Sequence, residues 1–241
     1  MRLPFAGTES GGGRGRPTPC HEQRSYRPGP DVAWNPVPAS MGHTMRIVIP
    51  ADRPNHEMPL KDGSVVTLSP VLKTDRDFFE QGVEELSLES RFSRFGQGVG
   101  GLTQHEIDYL TDVDQRRHVA WGAAIDEEVA GVGRYIVESD GGCAEVAITV
   151  LDSMQRRGVG RALFEALAAV ARADGVTEFC FEARADNEAV LGFVRDMEIS
   201  PLVFDGMIER RIRISSLPSS PHDDALFAVI EEVRSTRTEE P

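Results

Sequence analysis

Gln155, Gly158 and Gly160 stand in the spacing Gln-x-x-Gly-x-Gly, just past the apolar run Ala147-Ile148-Thr149-Val150. Arg156, Arg157 and Arg161 fringe them with positive charge, and Val159 lies between the glycines. A strand that ends in a glycine-bearing turn and opens a helix makes an anion site. The first-turn N–H groups of the helix have no internal partner, and its dipole adds partial positive charge there. Glycine lets the backbone approach closely. The expected occupant is a pyrophosphate held mostly by main chain. Two other phosphate motifs fail on this chain: it has no Gly-Lys pair for a P-loop, and the third glycine of a dinucleotide fingerprint falls on Leu163. The second chemistry-bearing residue is Glu145, a carboxylate among Ala144, Val146, Ala147 and Ile148. Strand alternation places it with Ala147 and Thr149 on one face. On a partly buried face its pKa rises toward the range of a general base for amine deprotonation. On an exposed face it is a surface residue only.

These residues need a scaffold, and the hydrophobic patterning supplies one. Residues 65–71 read as a first strand. A helix start at Thr74-x-x-Asp77 carries Phe79, Val83 and Leu86, and the capping box Thr103-x-x-Glu106 opens a short helix with Ile107 and Leu110 on one face. Residues 118–125, 129–138 and 144–150 form three strands joined by short polar linkers, an antiparallel meander. The helix after the glycine turn carries Leu163, Leu167 and Val170. A strand over 177–182, a helix over 186–197 and a hairpin over 201–204 and 207–214 complete the order. A strand, a helix and a strand in this sequence give one parallel crossover. The fold class is therefore α+β (mixed α/β): a mostly antiparallel twisted sheet with one parallel pair and helices on both faces.

The hexamer Gln155–Gly160, with its strand before and helix after, resembles the acetyl-CoA pyrophosphate loop of the GNAT acetyltransferases, and the element order over roughly 62–215 resembles their fold. One departure is Arg156, where the family often has Gly. SLESRFSRF, LTQHEIDYLTDVD, HVAWGA and AEVAITV further resemble bacterial GNAT protein lysine acetyltransferases of the mycobacterial kind. The resemblance implies acetyl-CoA as co-substrate, main-chain contact from Ile148 and Val150, Glu145 as catalytic base, and Asn187 touching the cofactor. As a helix cap, Asn187 has a second role, which Asp186 could also fill. The family's thiolate-protonating Tyr is replaced by Val194, and its Gly-Phe pair by Glu198-Ile199, so no general acid is assigned. The implied acceptor is a protein lysine. A small-molecule amine is the alternative, and a non-catalytic acyl-CoA sensor the third reading.

Composition sets the remaining bounds. Residues 1–60 hold ten of the fifteen prolines and the run GGGRGRP, which reads as a disordered extension, with Met41 or Met45 as alternative starts. The folded domain is expected over 61–216, followed by a tail over 217–241 with a short amphipathic helix. About 60 such residues leave no room for a cyclic-nucleotide domain ahead of the fold. A net charge of −13 argues against nucleic acid as partner and suits a cationic acceptor. No apolar run reaches membrane-spanning length, and no secretory signal is present. Cys20, Cys143 and Cys180 form neither a disulfide framework nor a zinc cluster, and no metal is expected. That usage fits a reducing cytoplasm. His105 and His118 lack partners at a meaningful spacing and read as surface residues. Oligomeric state does not follow from the sequence.

Overall fold

Among the described residues, eight strands form one sheet in the order β1-β2-β3-β4-β5-β6-β8-β7. The computed structural model describes residues 53–88, 90–91, 101–137, 143–196 and 202–238. The strands are β1 His56–Pro59, β2 Val65–Pro70, β3 His118–Ile125, β4 Glu128–Val137, β5 Ala144–Val150, β6 Glu178–Arg184, β7 Leu202–Phe204 and β8 Met207–Arg213. The α-helices among these residues are α1 Arg76–Glu85, α2 Gln104–Thr111, α3 Val159–Ala173, α4 Glu188–Asp196 and α5 Asp223–Thr238. Neighbouring strands run antiparallel except β5 and β6, which are parallel. The mostly antiparallel mixed sheet with one parallel pair is thus the observed fold.

Local chemistry sets this order. Asp126 and Glu127 join β3 to β4 with φ of 50° and 68°, the left-handed pair whose twist suits a two-residue hairpin. Thr103 caps α2: its hydroxyl accepts the Glu106 N–H at 3.3 Å, and Glu106 accepts the Thr103 N–H at 2.8 Å. Ten of the fifteen residues of α3 are buried, so the helix needs cover on more than one side. The sheet covers one side, where a Cβ added at Gly133 would lie 3.2 Å from Leu163 Cβ. The other side meets α5, whose Leu226, Ile230 and Val233 are buried.

Several sequence expectations need correction. β1 lies inside the stretch expected to be disordered. Arg53 anchors it by donating to the Asp75 carboxylate and the Pro70 carbonyl, Ser69 Oγ donates to the Pro54 carbonyl at 3.0 Å, and β1 pairs with β2 from His56 to Pro59. Pro59 is tolerated because β1 is an edge strand. Residues 1–52 lie outside the described residues, as do Glu198 and Ile199. At the other end, α5 is longer than the short amphipathic helix expected there, and it docks on its own domain. Arg234 holds it there, donating to Asp174 Oδ1 at 3.0 Å and to the Gln115 carbonyl at 2.6 Å. Thr74 does not cap α1; it sits in a 3-10 turn, Lys73–Asp75, that leads into the helix. Cys143 and Cys180, 37 residues apart, are joined in a disulfide. The sequence reading missed it because only the pairing of β5 with β6 brings them together. No helix among the described residues is long and apolar enough to cross a membrane.

Truncating a fully buried α5 side chain tests whether that helix belongs to the cooperative unit. Ile230→Ala should cost about 2–5 kcal/mol, read as a lower midpoint in urea denaturation. An unchanged midpoint would make α5 an appendage.

Candidate active site

β5 and β6 pair at two positions only, Ala144 with Phe179 and Glu145 with Cys180. Beyond them the strands part. β5 stays paired with β4 along its whole length, and β6 with β8. The sheet therefore opens into a cleft along residues 146–150. The backbone there faces in a defined direction. A Cβ at Gly131 of β4 would lie 2.6 Å from the Thr149 carbonyl oxygen, and the Leu151 N–H donates to the Ala130 carbonyl at 3.0 Å. Thr149 thus turns its main chain to β4. By alternation Ile148 and Val150 turn theirs to the cleft. Their side chains meet α3, against which the Ile148 and Val150 Cγ2 atoms lie 3.9 and 3.6 Å from a Cβ built at Gly160.

The glycine turn closes one end of that cleft. Gln155 Nε2 donates to the Val150 carbonyl at 3.2 Å, tying the turn to the strand. Arg156 has φ of 63° and Gly158 of 104°. The left-handed backbone at 156 explains why glycine suits that position, and Arg there carries a small strain. α3 begins at Val159, and its first internal bonds run from the Arg161 and Ala162 N–H groups to the Gly158 carbonyl, each 3.1 Å. The N–H groups of Val159 and Gly160 precede that ladder and have no intrahelical acceptor. A Cβ at Gly160 would meet only ordinary van der Waals contacts, so internal packing does not demand glycine there. The turn's residues fit a pyrophosphate group.

The three arginines are placed differently. Arg157 Nε donates to Asp62 at 3.0 Å, and Arg161 pairs with Glu165 one turn along α3 at 3.0 Å. The Arg156 side chain is 90% exposed, with Glu188 3.9 Å away, and exposed pairs of this kind are weak enough for a bound anion to displace. On the opposite bank Asn187 caps α4, accepting the Val190 N–H at 3.1 Å. Asp186 does not share that role, since it pairs with Arg184. Val194 is a buried core residue.

Glu145 stands half-buried where the two strands part, on the sheet face away from α3, with Ile136 opposite it on β4. The same face carries Arg134, which is buried beside His118. Arg134 Nη1 lies 3.1 Å from His118 Nε2, and Nη2 donates to the Leu110 carbonyl at 3.3 Å. A guanidinium has no acceptor, so the imidazole nitrogen must accept. Burial, together with the Arg134 charge, holds the His118 pKa down to about 3 against the pull of Asp114. His118 is therefore a neutral, half-buried hydrogen-bond acceptor for Arg134 rather than the surface residue its spacing indicated. His105 is exposed, as read.

Sequence reasoning missed three contributors. Asp152 follows β5 and accepts from the Ser87 N–H at 3.0 Å and from Ser90 Oγ at 2.8 Å, which ties the chain after α1 to the glycine turn. Burial raises its pKa, but these hydrogen bonds outweigh burial and leave it below the usual value. Arg134 and the Cys143–Cys180 bridge are the others. Each depends on cross-strand neighbours that no local pattern reveals. A cavity of about 110 Å³ lies under α1 on the Glu145 face, lined by Phe79, Val83, Leu110, Val132 and Thr149. Arg53, Arg134 and Asp75 also line it, two guanidiniums to one carboxylate, which suits a cationic side chain poorly.

Residues 81–198 match the acetyltransferase (GNAT) family. Acetyltransferase PA5475 of Pseudomonas aeruginosa is 30% identical over 145 residues, covering 56% of this chain and 78% of that protein. The chain belongs to the GNAT acetyltransferase family. Acetyltransferase Pat of Mycolicibacterium smegmatis is 34% identical over 135 residues, covering 54% of this chain and 40% of Pat, so the chain spans well under half of that relative. Among solved structures, the GNAT domain of S. lividans PAT superposes with a TM-score of 0.62 at 28% identity, covering 68% of this chain and 99% of that domain. As a GNAT acetyltransferase the protein is an acyltransferase, and the family uses acetyl-CoA.

The half-buried imidazole gives a pH test. His118 in the folded state binds its proton only near pH 3, while the unfolded chain binds it near 6.5. The unfolded state therefore holds more protons in that window, and stability falls as pH drops through it, by up to about 1.4 kcal/mol per unit. His118→Gln keeps an acceptor for Arg134 and should flatten the slope of urea-derived stability between 6.5 and about 4. An equal slope in both proteins would place the titration elsewhere.

Proposed function

We propose that the protein transfers the acetyl group of acetyl-CoA to a protein lysine by direct attack within a ternary complex. The observation that carries this reading is the cleft between β5 and β6, bounded by the Gln155–Gly160 turn at one end and by Glu145 at the other. In this reading the N–H groups of Val159 and Gly160, with Gln155, Arg156, Arg157, Gly158 and Arg161 around them, hold the pyrophosphate. The cleft-facing main chain of Ile148 and Val150 contacts the pantetheine, and Asn187 borders the same cleft from α4.

The acceptor amine reaches the site protonated and must lose that proton to attack. Glu145, directly or through one water, takes it. Backbone N–H groups along the cleft offset the charge that builds on the carbonyl oxygen. Val194 offers no hydroxyl, so the leaving thiol takes its proton from water. The resemblance of SLESRFSRF, LTQHEIDYLTDVD, HVAWGA and AEVAITV to bacterial GNAT protein lysine acetyltransferases supports a protein acceptor. The chain's acidic balance, −13 overall, suits a lysine-bearing surface. A cytoplasmic setting, where such acceptors and acetyl-CoA meet, belongs to the same proposal.

The test follows free-thiol release and new acetyl-lysine, the latter by mass spectrometry, in a protein lysate supplied with acetyl-CoA. Glu145→Gln should cut turnover by about a hundredfold or more while acetyl-CoA binding by calorimetry stays the same. Undiminished turnover would remove Glu145 from the chemistry. Release with a small-amine panel alone would move the acceptor to that class, and no acetyl-CoA binding would overturn the reading of the turn.

A further inference from the structure

The acyl-transfer reading rests on how firmly β5 and β6 are held where they part, and the backbone alone holds them weakly there. Their pairing covers Ala144 with Phe179 and Glu145 with Cys180 and no more. Cys143 and Cys180 lie at this seam, joined across 6.0 Å between Cα atoms. Cys180 is the registered neighbour of Glu145, and Cys143 sits two residues before it. Side chains two apart on a strand share a face, as do those of registered neighbours. The bridge and the Glu145 carboxylate therefore occupy one sheet face at the apex of the cleft. Cys143 is 3% exposed, while Cys180 is half-buried, so the Cys180 sulfur is the one an external thiol would reach.

We propose that Cys143 and Cys180 form a redox-controlled positioning pair for the acyl-transfer site. As a disulfide, the pair clamps the apex and holds Glu145 in register with the cleft. As two thiols, it leaves the apex to the short backbone ladder, and Glu145 loses its fixed position. The reductant is a low-molecular-weight thiol. One thiolate attacks the Cys180 sulfur, forms a mixed disulfide and expels the Cys143 thiolate, which takes up a proton. A second thiolate resolves the mixed disulfide. Two electrons pass to the protein pair, two cysteine thiols appear, and one small-molecule disulfide leaves. Oxidised glutathione runs the exchange in reverse. The glycine turn lies at the far end of β5, so co-substrate binding depends little on the pair.

The test uses the full chain carrying Cys20→Ser, so that only two thiols remain to be counted. Thiol titration after treatment with oxidised glutathione should find none free, and after dithiothreitol two. Reduction should lower kcat about tenfold with the KM for acetyl-CoA unchanged within about twofold, because misplacing a catalytic group costs rate rather than co-substrate affinity. Amide hydrogen exchange over residues 144–150 should quicken about tenfold on reduction, and both changes should reverse on reoxidation. The Cys143→Ser, Cys180→Ser variant should match the reduced protein and ignore dithiothreitol. Two free thiols under oxidising conditions would overturn the proposal, as would equal kcat and equal exchange in the two states. Exchange that responds to reduction with turnover in neither state would uphold the clamp and count against the acyl-transfer reading alone.

Discussion

Parallel strands that pair at two positions and then diverge leave backbone groups facing a gap, and buried groups of that kind need partners. The rest of this fold is arranged around that gap. β4 holds β5 along its whole length, and β8 does the same for β6, so each bank is rigid although the seam between them is short. Burying such a gap would cost free energy for every unpaired N–H and C=O group, and filling it with a ligand recovers that cost. A binding cleft is thus a direct result of the strand pairing and needs no special side chain to create it. Side chains then decide which ligand fits. The glycine turn offers N–H groups suited to an anion at one end, and a carboxylate stands at the other.

The helices serve this arrangement at a distance. α3 is nearly all apolar and alanine-rich, and lies between the sheet and α5. Gly133, having no Cβ, lets Leu163 and Leu167 of the helix seat closely on β4, and the position of the helix fixes where its first N–H groups point. Asp152 performs a related task from the other side by tying Ser87 and Ser90 to the end of β5. Electrostatics on the opposite face follow the same logic. Arg134 is buried, and its partners include a neutral imidazole and a carbonyl, so its charge is solvated by the protein interior. Desolvation of His118, and then the second cation that its protonation would set against Arg134, explain why its basicity falls so far.

Much of this was legible from residue order alone. The meander β3–β5 stood out because apolar runs alternate with the short polar linkers Asp126-Glu127-Glu128 and Asp140-Gly141-Gly142. The glycine turn stood out because Gly158 and Gly160 follow a strand and open a helix. β1 was not legible, since His-Glu-Met-Pro has no periodicity and lies in a proline-rich stretch; its pairing with β2 and the Arg53 anchor supply what the sequence pattern lacks. α5 was read too short because its first turn is acidic and its last turn is polar, while its burial comes from residues spaced through the middle. The disulfide and the Arg134–His118 contact were hidden for a shared reason. Both join residues that are distant in sequence and meet only through sheet register.

The close seat of α3 on β4 has one further consequence. With Leu163 Cβ 3.2 Å from where a methyl at 133 would stand, the helix has no slack toward the sheet. It behaves as a beam that rests on the sheet and is backed by α5, with a tight bearing at Gly133 and its first turn at the proposed anion site. Raising that bearing would tilt the beam and swing its end, so changes deep in the core and changes in ligand affinity should travel together during divergence. A lineage that enlarged residue 133 would have to re-cut Leu163 or Leu167 before it could keep its co-substrate.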